Sequence, residues 1–151
     1  MTAEPTAAER LDAVAAEFAD LEPRERLELL LEFAESLPPL PERLIAERDA
    51  GEHRVHECQT PVYIWVWVEN GRVQIAADSA PEAPTVKGFI AVLASALSGA
   101  TPEEVLALDA NIISRLGLTE ALGMVRMRGM HAILHAIRSQ LRRSMASPGS
   151  T

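Results

Sequence analysis

The chain opens with helical periodicity. Leu11, Val14, Ala15 and Phe18 recur at the spacing of one helix face, behind Thr6-Ala-Ala-Glu9, a threonine N-cap with a glutamate three residues on. Glu22-Pro23 marks a second start, with proline at the first helical position. Leu27, Leu30, Leu31, Ala34 and Leu37 carry that apolar face until Pro38-Pro39 ends it. Pro41 to Arg48 predicts one more short helix. The period changes near Gly51. Val62 to Val68 is β-branched and aromatic, a strand, and Asn70-Gly71 is a hairpin turn that returns Val73 to Ala77 antiparallel. Arg54 to Glu57 predicts a third strand ahead of Cys58. Both tryptophans and the only tyrosine fall in the central strand, which predicts core packing for them.

Ala80 to Pro84 reads as a loop. Val86, Phe89, Ile90, Leu93 and Leu97 then mark a buried helix, with Gly99 placed to stop it. Thr101-Pro-Glu-Glu104 repeats the capping pattern and opens a short helix through Leu108; Asp109 to Leu116 predicts another. The last helix is expected from Gly123 to Arg143, with Met127, Met130, Leu134, Ile137 and Leu141 on its core face. Helices, then strands, then helices argue for an α+β fold, a small antiparallel three-stranded sheet packed by helices. One domain is expected over residues 6–143, with 1–5 and 144–151 as disordered ends.

Composition narrows the function classes. A chain of 151 residues, 48% hydrophobic and 24% charged, suits one globular domain. No apolar run approaches the roughly 18 residues of a membrane span. Met1 to Thr6 has neither the basic nor the apolar region of a signal peptide, so a cytoplasmic location is expected. The net charge of −8 is uneven: residues 1–57 hold 15 Asp/Glu against 6 Arg, and residues 58–151 hold 7 Asp/Glu against 8 Lys/Arg. An acidic chain repels phosphate backbones, which disfavours a nucleic-acid partner, and no Gly-rich phosphate loop follows a strand. The acidic half serves solubility or meets a basic partner surface.

The single cysteine, Cys58, restricts the chemistry further. It rules out an intramolecular disulfide, a C-x-x-C redox pair and a self-held iron–sulfur cluster. It lies in His56-Glu57-Cys58-Gln59-Thr60-Pro61, on the loop before the central strand. A thiol there is able to attack a persulfide and carry its terminal sulfur away, a step akin to thiol–disulfide exchange. From position alone, a buried cysteine packed as a small hydrophobe is the commoner outcome. His131 and His135 have a zinc-ligand spacing, but Arg128, Arg138 and Arg142 lie on or near the same face and oppose a cation. His53, His56 and Cys58 lack a clear fourth ligand. A Cys–His hydrolase would need an orienting group and an oxyanion donor that the sequence does not identify. No metal is expected.

Cys58-Gln59-Thr60, the aromatic strand, Asp78-Ser79, Val86-Lys87-Gly88-Phe89-Ile90, Leu116-Gly117-Leu118 and Val125-Arg126-Met127-Arg128-Gly129-Met130 follow one another in an order that resembles the SufE-like family, in an actinobacterial-type branch. The similarity spans about residues 8–142. It implies a fold akin to the scaffold protein IscU and a sulfur-acceptor role. The chain would take persulfide sulfur from a PLP-dependent, SufS-like cysteine desulfurase and stimulate that enzyme. It would then relay the sulfur to an iron–sulfur assembly scaffold or another acceptor. Cys58 matches the family's acceptor cysteine and Arg126 the arginine near it. Gln59, Asp78, Ser79, Lys87 and Gly88 match supporting positions. By their residue types, Asp78 and Ser79 order the loop beside Cys58 or cap a turn, and Lys87 and Gly88 serve helix-start geometry and close packing. Arg126, four residues before Met130, is expected on the core-facing side of the last helix, where its charge would favour a Cys58 thiolate. No cofactor is expected on this chain; PLP would belong to the desulfurase. The alternative is a docking module that regulates its partner while Cys58 stays inert. Two features depart from the family pattern. Glu57 replaces the usual glycine before the cysteine, which raises the thiol pKa, and the loop after Asp78 is longer and carries two prolines.

Overall fold

The ends of the first helices are closed by their own side chains. In the computed structural model, Thr6 Oγ1 accepts the Glu9 amide at 3.1 Å and the Glu9 carboxylate accepts the Thr6 amide at 2.8 Å, which starts α1 (Ala7–Ala19). The Glu25 carboxylate accepts the Glu22 amide at 3.0 Å at the start of α2 (Pro23–Ser36), which stops at Leu37, before the Pro-Pro pair. A short α3 (Glu42–Asp49) follows. The hairpin pairs β1 (Val62–Glu69) with β2 (Arg72–Ser79). Its turn residues Asn70 and Gly71 both have positive φ, 54° and 76°, the conformation that makes Asn-Gly favoured here. Then come α4 (Pro84–Leu97), α5 (Pro102–Leu106), α6 (Ile112–Arg115) and α7 (Thr119–Ala146). The structure describes residues 4–58, 60–81, 83–109 and 111–146. Residues 144–146 of the expected tail are helical, since α7 runs to Ala146, and 147–151 lie outside the described residues. The two helices expected over 101–108 and 109–116 are shorter, α5 and α6, joined by a turn.

The buried helix is α4. Phe89, Ile90, Leu93 and Leu97 are almost wholly shielded, and burying each contributes roughly 1.5–3 kcal/mol. It lies against α2 and against one face of the hairpin, with α7 on the β1 side. Gly88 permits the α2 contact: a Cβ there would sit 2.1 Å from the Leu30 carbonyl oxygen. The hairpin face that meets α4 and α7 carries Val62, Ile64, Val66, Val73 and Ala77, all buried. The aromatic residues occupy the opposite face. Trp65 is buried there, stacked between His53 and Tyr63, and its Nε1 donates to the Glu47 carboxylate at 3.2 Å. Trp67 is only half-buried, under the Arg43 guanidinium. Tyr63 is half-buried too, so the aromatic residues form the seat of α3 and not the main core.

The sheet has two strands, where three were expected. Arg54 to Glu57 contributes a single bridge, Arg54 to Tyr63. His53 O accepts the Ile64 amide at 3.0 Å and the Val55 amide donates to Val62 O at 2.8 Å, and there the pairing ends. The chain turns at Val55–Cys58, where the Cys58 amide donates to Val55 O at 3.2 Å. The next positions on the β1 edge are taken by a side chain. Gln140 of α7 donates from Nε2 to Ile64 O at 2.8 Å and accepts the Val66 amide on Oε1 at 3.1 Å. One amide side chain thus replaces a strand's peptide group. Among the described residues no helix is long and apolar enough to cross a membrane.

Gln140→Ala leaves an edge carbonyl and an edge amide without their partner. We predict a loss of about 1–3 kcal/mol in urea unfolding; an unchanged midpoint and slope would show that water replaces the amide at no cost.

Candidate functional site

Cys58 sits on the loop between the Arg54 bridge and β1, held at its far end by the Ala80 amide, which donates to Pro61 O at 3.0 Å. The hairpin therefore fixes both ends of the loop. The side chain turns inward and is only 8% exposed. Its Sγ lies 3.6 Å from the carbonyl oxygen of Gly129 on α7, and the thiol proton is donated to it. Burial pushes the thiol pKa up from its ordinary 9.0, and the negative charge of neighbouring Glu57 adds to the rise. All three features favour the protonated thiol.

The thiol borders a cleft of about 500 Å³. Glu57, Cys58 and Thr60 form one wall, Ala83 to Val86 at the start of α4 a second, and Arg126, Gly129, Met130 and Ile133 of α7 the third. Arg126 thus shares the cleft with Cys58, but it is exposed and not core-facing. Its angle around the helix matches Met130, yet α7 is broken at Gly123 (φ 82°, ψ 167°), and the first turn beyond the break overhangs the cleft. Met124 and Val125, 64% and 56% exposed, stand at the same end.

The other expected residues that the structure describes lie apart from the cleft. Asp78 faces the α3 side and pairs with Arg48 at 2.8 Å, so it fastens α3 to the end of β2. Ser79 is buried at the end of β2, and its Oγ has no hydrogen-bond partner among the described residues. Lys87 is half-buried on α4, and Gly88 is the α2 contact. Gln59 lies outside the described residues. Two residues with a part in the site drew no role from sequence. Gln140 sets how α7 lies on β1, and no periodicity marks it. Gly129 touches the thiol, and its signal was a glycine inside a helical seam, where glycine is costly. Among the described residues no three His, Cys, Asp or Glu side chains gather as a metal-holding group.

The family model of the SufE, Fe-S metabolism associated domain matches residues 12–141. A SufE-like protein of Mycobacterium tuberculosis is 35% identical over 143 residues, covering 94% of this chain and 98% of that one. The cysteine desulfuration protein SufE of Plasmodium vivax is 32% identical over 104 residues, 68% of this chain and 39% of the longer relative. The solution structure of a hypothetical protein from Thermus thermophilus superposes with a TM-score of 0.77 at 35% identity, covering 91% of this chain and 97% of that one.

The state of the thiol is directly measurable. Alkylation of the isolated protein by iodoacetamide should be slower than that of free cysteine at pH 7–8. Its rate should still be climbing as pH passes the ordinary value of 9.0, where an unshifted thiol begins to level off, because a raised pKa delays the thiolate. Rapid alkylation at neutral pH would contradict a sheltered, protonated Cys58.

Proposed function

The chain belongs to the SufE family, and on that basis we propose that it is a sulfur acceptor in iron–sulfur metabolism, with Cys58 as the carrying atom. The observation that supports this most strongly is the position of the chain's only cysteine. It lies beside a cleft that also holds Arg126, and the two resemble the family's acceptor cysteine and the arginine near it. The donor would be a cysteine desulfurase, which with its PLP moves the sulfur of cysteine onto its own thiol as a persulfide; the Plasmodium relative is named for cysteine desulfuration.

The transfer step conserves atoms and electrons. The Cys58 thiol loses its proton, and the thiolate attacks the terminal sulfur of the donor persulfide. A new Sγ–S bond forms as the donor's S–S bond breaks, and the donor departs as a thiolate that is free to take up the proton. No outside oxidant is consumed. Docking displaces water from the cleft, so the Arg126 charge acts on the incoming sulfur through a lower dielectric. Exposed Met124 and Val125 offer apolar surface at that mouth. The sulfur then passes by the same exchange to an iron–sulfur assembly scaffold or another acceptor thiol.

A second reading is supported by the burial and raised pKa of the thiol. In it the chain regulates the desulfurase by docking alone. The two readings part in intact mass spectrometry after incubation with a cysteine desulfurase, PLP and cysteine. The acceptor reading predicts a reductant-labile gain of one sulfur atom that Cys58→Ser abolishes. It also predicts that Arg126→Ala slows the gain by about tenfold, the loss of one charged contact to the transferring sulfur in the docked complex. A Cys58→Ser protein that still stimulates a bound desulfurase fully, with no sulfur gained by the wild type, would establish docking instead.

A further inference from the structure

We infer that Gly129 is a positioning residue for sulfur transfer: it keeps open the space beside Cys58 Sγ that the second sulfur atom of a persulfide occupies. The inference rests on the acceptor reading of Cys58 and assigns the sulfur a place in the fold.

Gly88 and Gly129 both stand inside helices against a neighbouring element, and they differ in what they demand. At Gly88 a Cβ would lie 2.1 Å from Leu30 O and 2.8 Å from Leu30 C, so the packing of α2 on α4 requires glycine there. Among the described residues, an added Cβ at Gly129 would meet one atom, Cys58 Sγ, at 3.6 Å, which is ordinary van der Waals contact. The resting structure would therefore accept alanine at 129. Glycine inside a helix costs roughly 1 kcal/mol relative to alanine, and Gly129 lies well within α7. Neither the backbone nor the resting packing accounts for it.

An extra atom on the thiol does account for it. A second sulfur bonds to Sγ at about 2.05 Å. Cys58 is buried on most sides by the core cluster it belongs to, and the cleft it borders is the space Gly129 lines. A sulfur directed from Sγ toward the missing side chain would fall well inside contact distance of a Cβ. With glycine there, the terminal sulfur is free to lie obliquely past the Gly129 Cα, on the side that faces the cleft through which it entered. The same step moves the thiol proton off the Gly129 carbonyl, so the resting hydrogen bond and the loaded sulfur use one locality in turn.

The test is Gly129→Ala, loaded with sodium polysulfide so that no protein partner is involved. The Cys58 thiolate takes one sulfur from the polysulfide chain, which leaves shorter by that atom. Intact mass follows the gain of one sulfur against time, and thermal melting is recorded on the same samples. The variant should melt at or above the wild-type temperature and load about tenfold more slowly or worse, as expected for crowding at the reacting atom. Loading at the wild-type rate would overturn the inference while leaving Cys58 as the acceptor. A variant that melts well below wild type or fails to fold would overturn it too, because packing would then explain the glycine. Failure of the acceptor reading looks different, since the wild type itself would gain no sulfur from a bound desulfurase.

Discussion

The lie of α7 across β1 is the constraint on which the site depends. Gln140 pins the helix by pairing both ends of its amide with the strand edge at Ile64 and Val66. Gly129 precedes it by about three helical turns, roughly 16 Å, so both project from nearly the same side of the helix. Fixing one therefore fixes the other. The carbonyl that meets Cys58 Sγ, the glycine gap beside it and the Arg126 side chain over the cleft all follow from where Gln140 binds. Buried Met130, Leu134, Ile137 and Leu141 supply the energy of the contact, but apolar packing alone tolerates small slides along a groove. The two directional hydrogen bonds do not.

The same arrangement reconciles protection with reactivity. A thiol that is shielded, protonated and bonded to a carbonyl is a poor target for oxidants, which react with accessible thiolates. Glu57 adds to that restraint. The cleft keeps a route to the sulfur, and it is bordered by a cation and by exposed apolar side chains at the broken end of α7. On the proposed function, a partner that covers this mouth would exclude water and strengthen the Arg126 field, so activation would belong to the complex and restraint to the free chain. Asp78 takes a supporting part, since its ion pair with Arg48 holds α3 on the far face of the hairpin.

Local chemistry made much of the fold legible in the sequence. Thr6–Glu9, Glu22-Pro23, Pro38-Pro39 and Asn70-Gly71 announce ends and turns because each satisfies a specific backbone group or dihedral, and each does so in the structure. The failures come from tertiary contacts that no period encodes. A third strand was expected because nothing in Arg54–Glu57 reveals that a glutamine more than eighty residues later occupies the same edge. Trp65 is buried as expected, but Trp67 and Tyr63 are only half-buried, because aromatic content does not tell one sheet face from the other and these lie on the α3 side. Arg126 was placed on the core side by its helical angle, but in the first turn after Gly123 only Met127 is buried and Arg126 stands over the cleft. Cys58 and Arg126 were singled out by resemblance, whereas the demand proposed for Gly129 emerges only from the distance to sulfur.

The most direct measurement is a crystal structure of the protein with Cys58 loaded as a persulfide. The terminal sulfur should lie in the gap over Gly129, with the Gln140 amide still paired to Ile64 and Val66 and α7 unmoved. A terminal sulfur pointing elsewhere, or an α7 that has slid along β1 to admit it, would contradict a site built by the fixed lie of that helix.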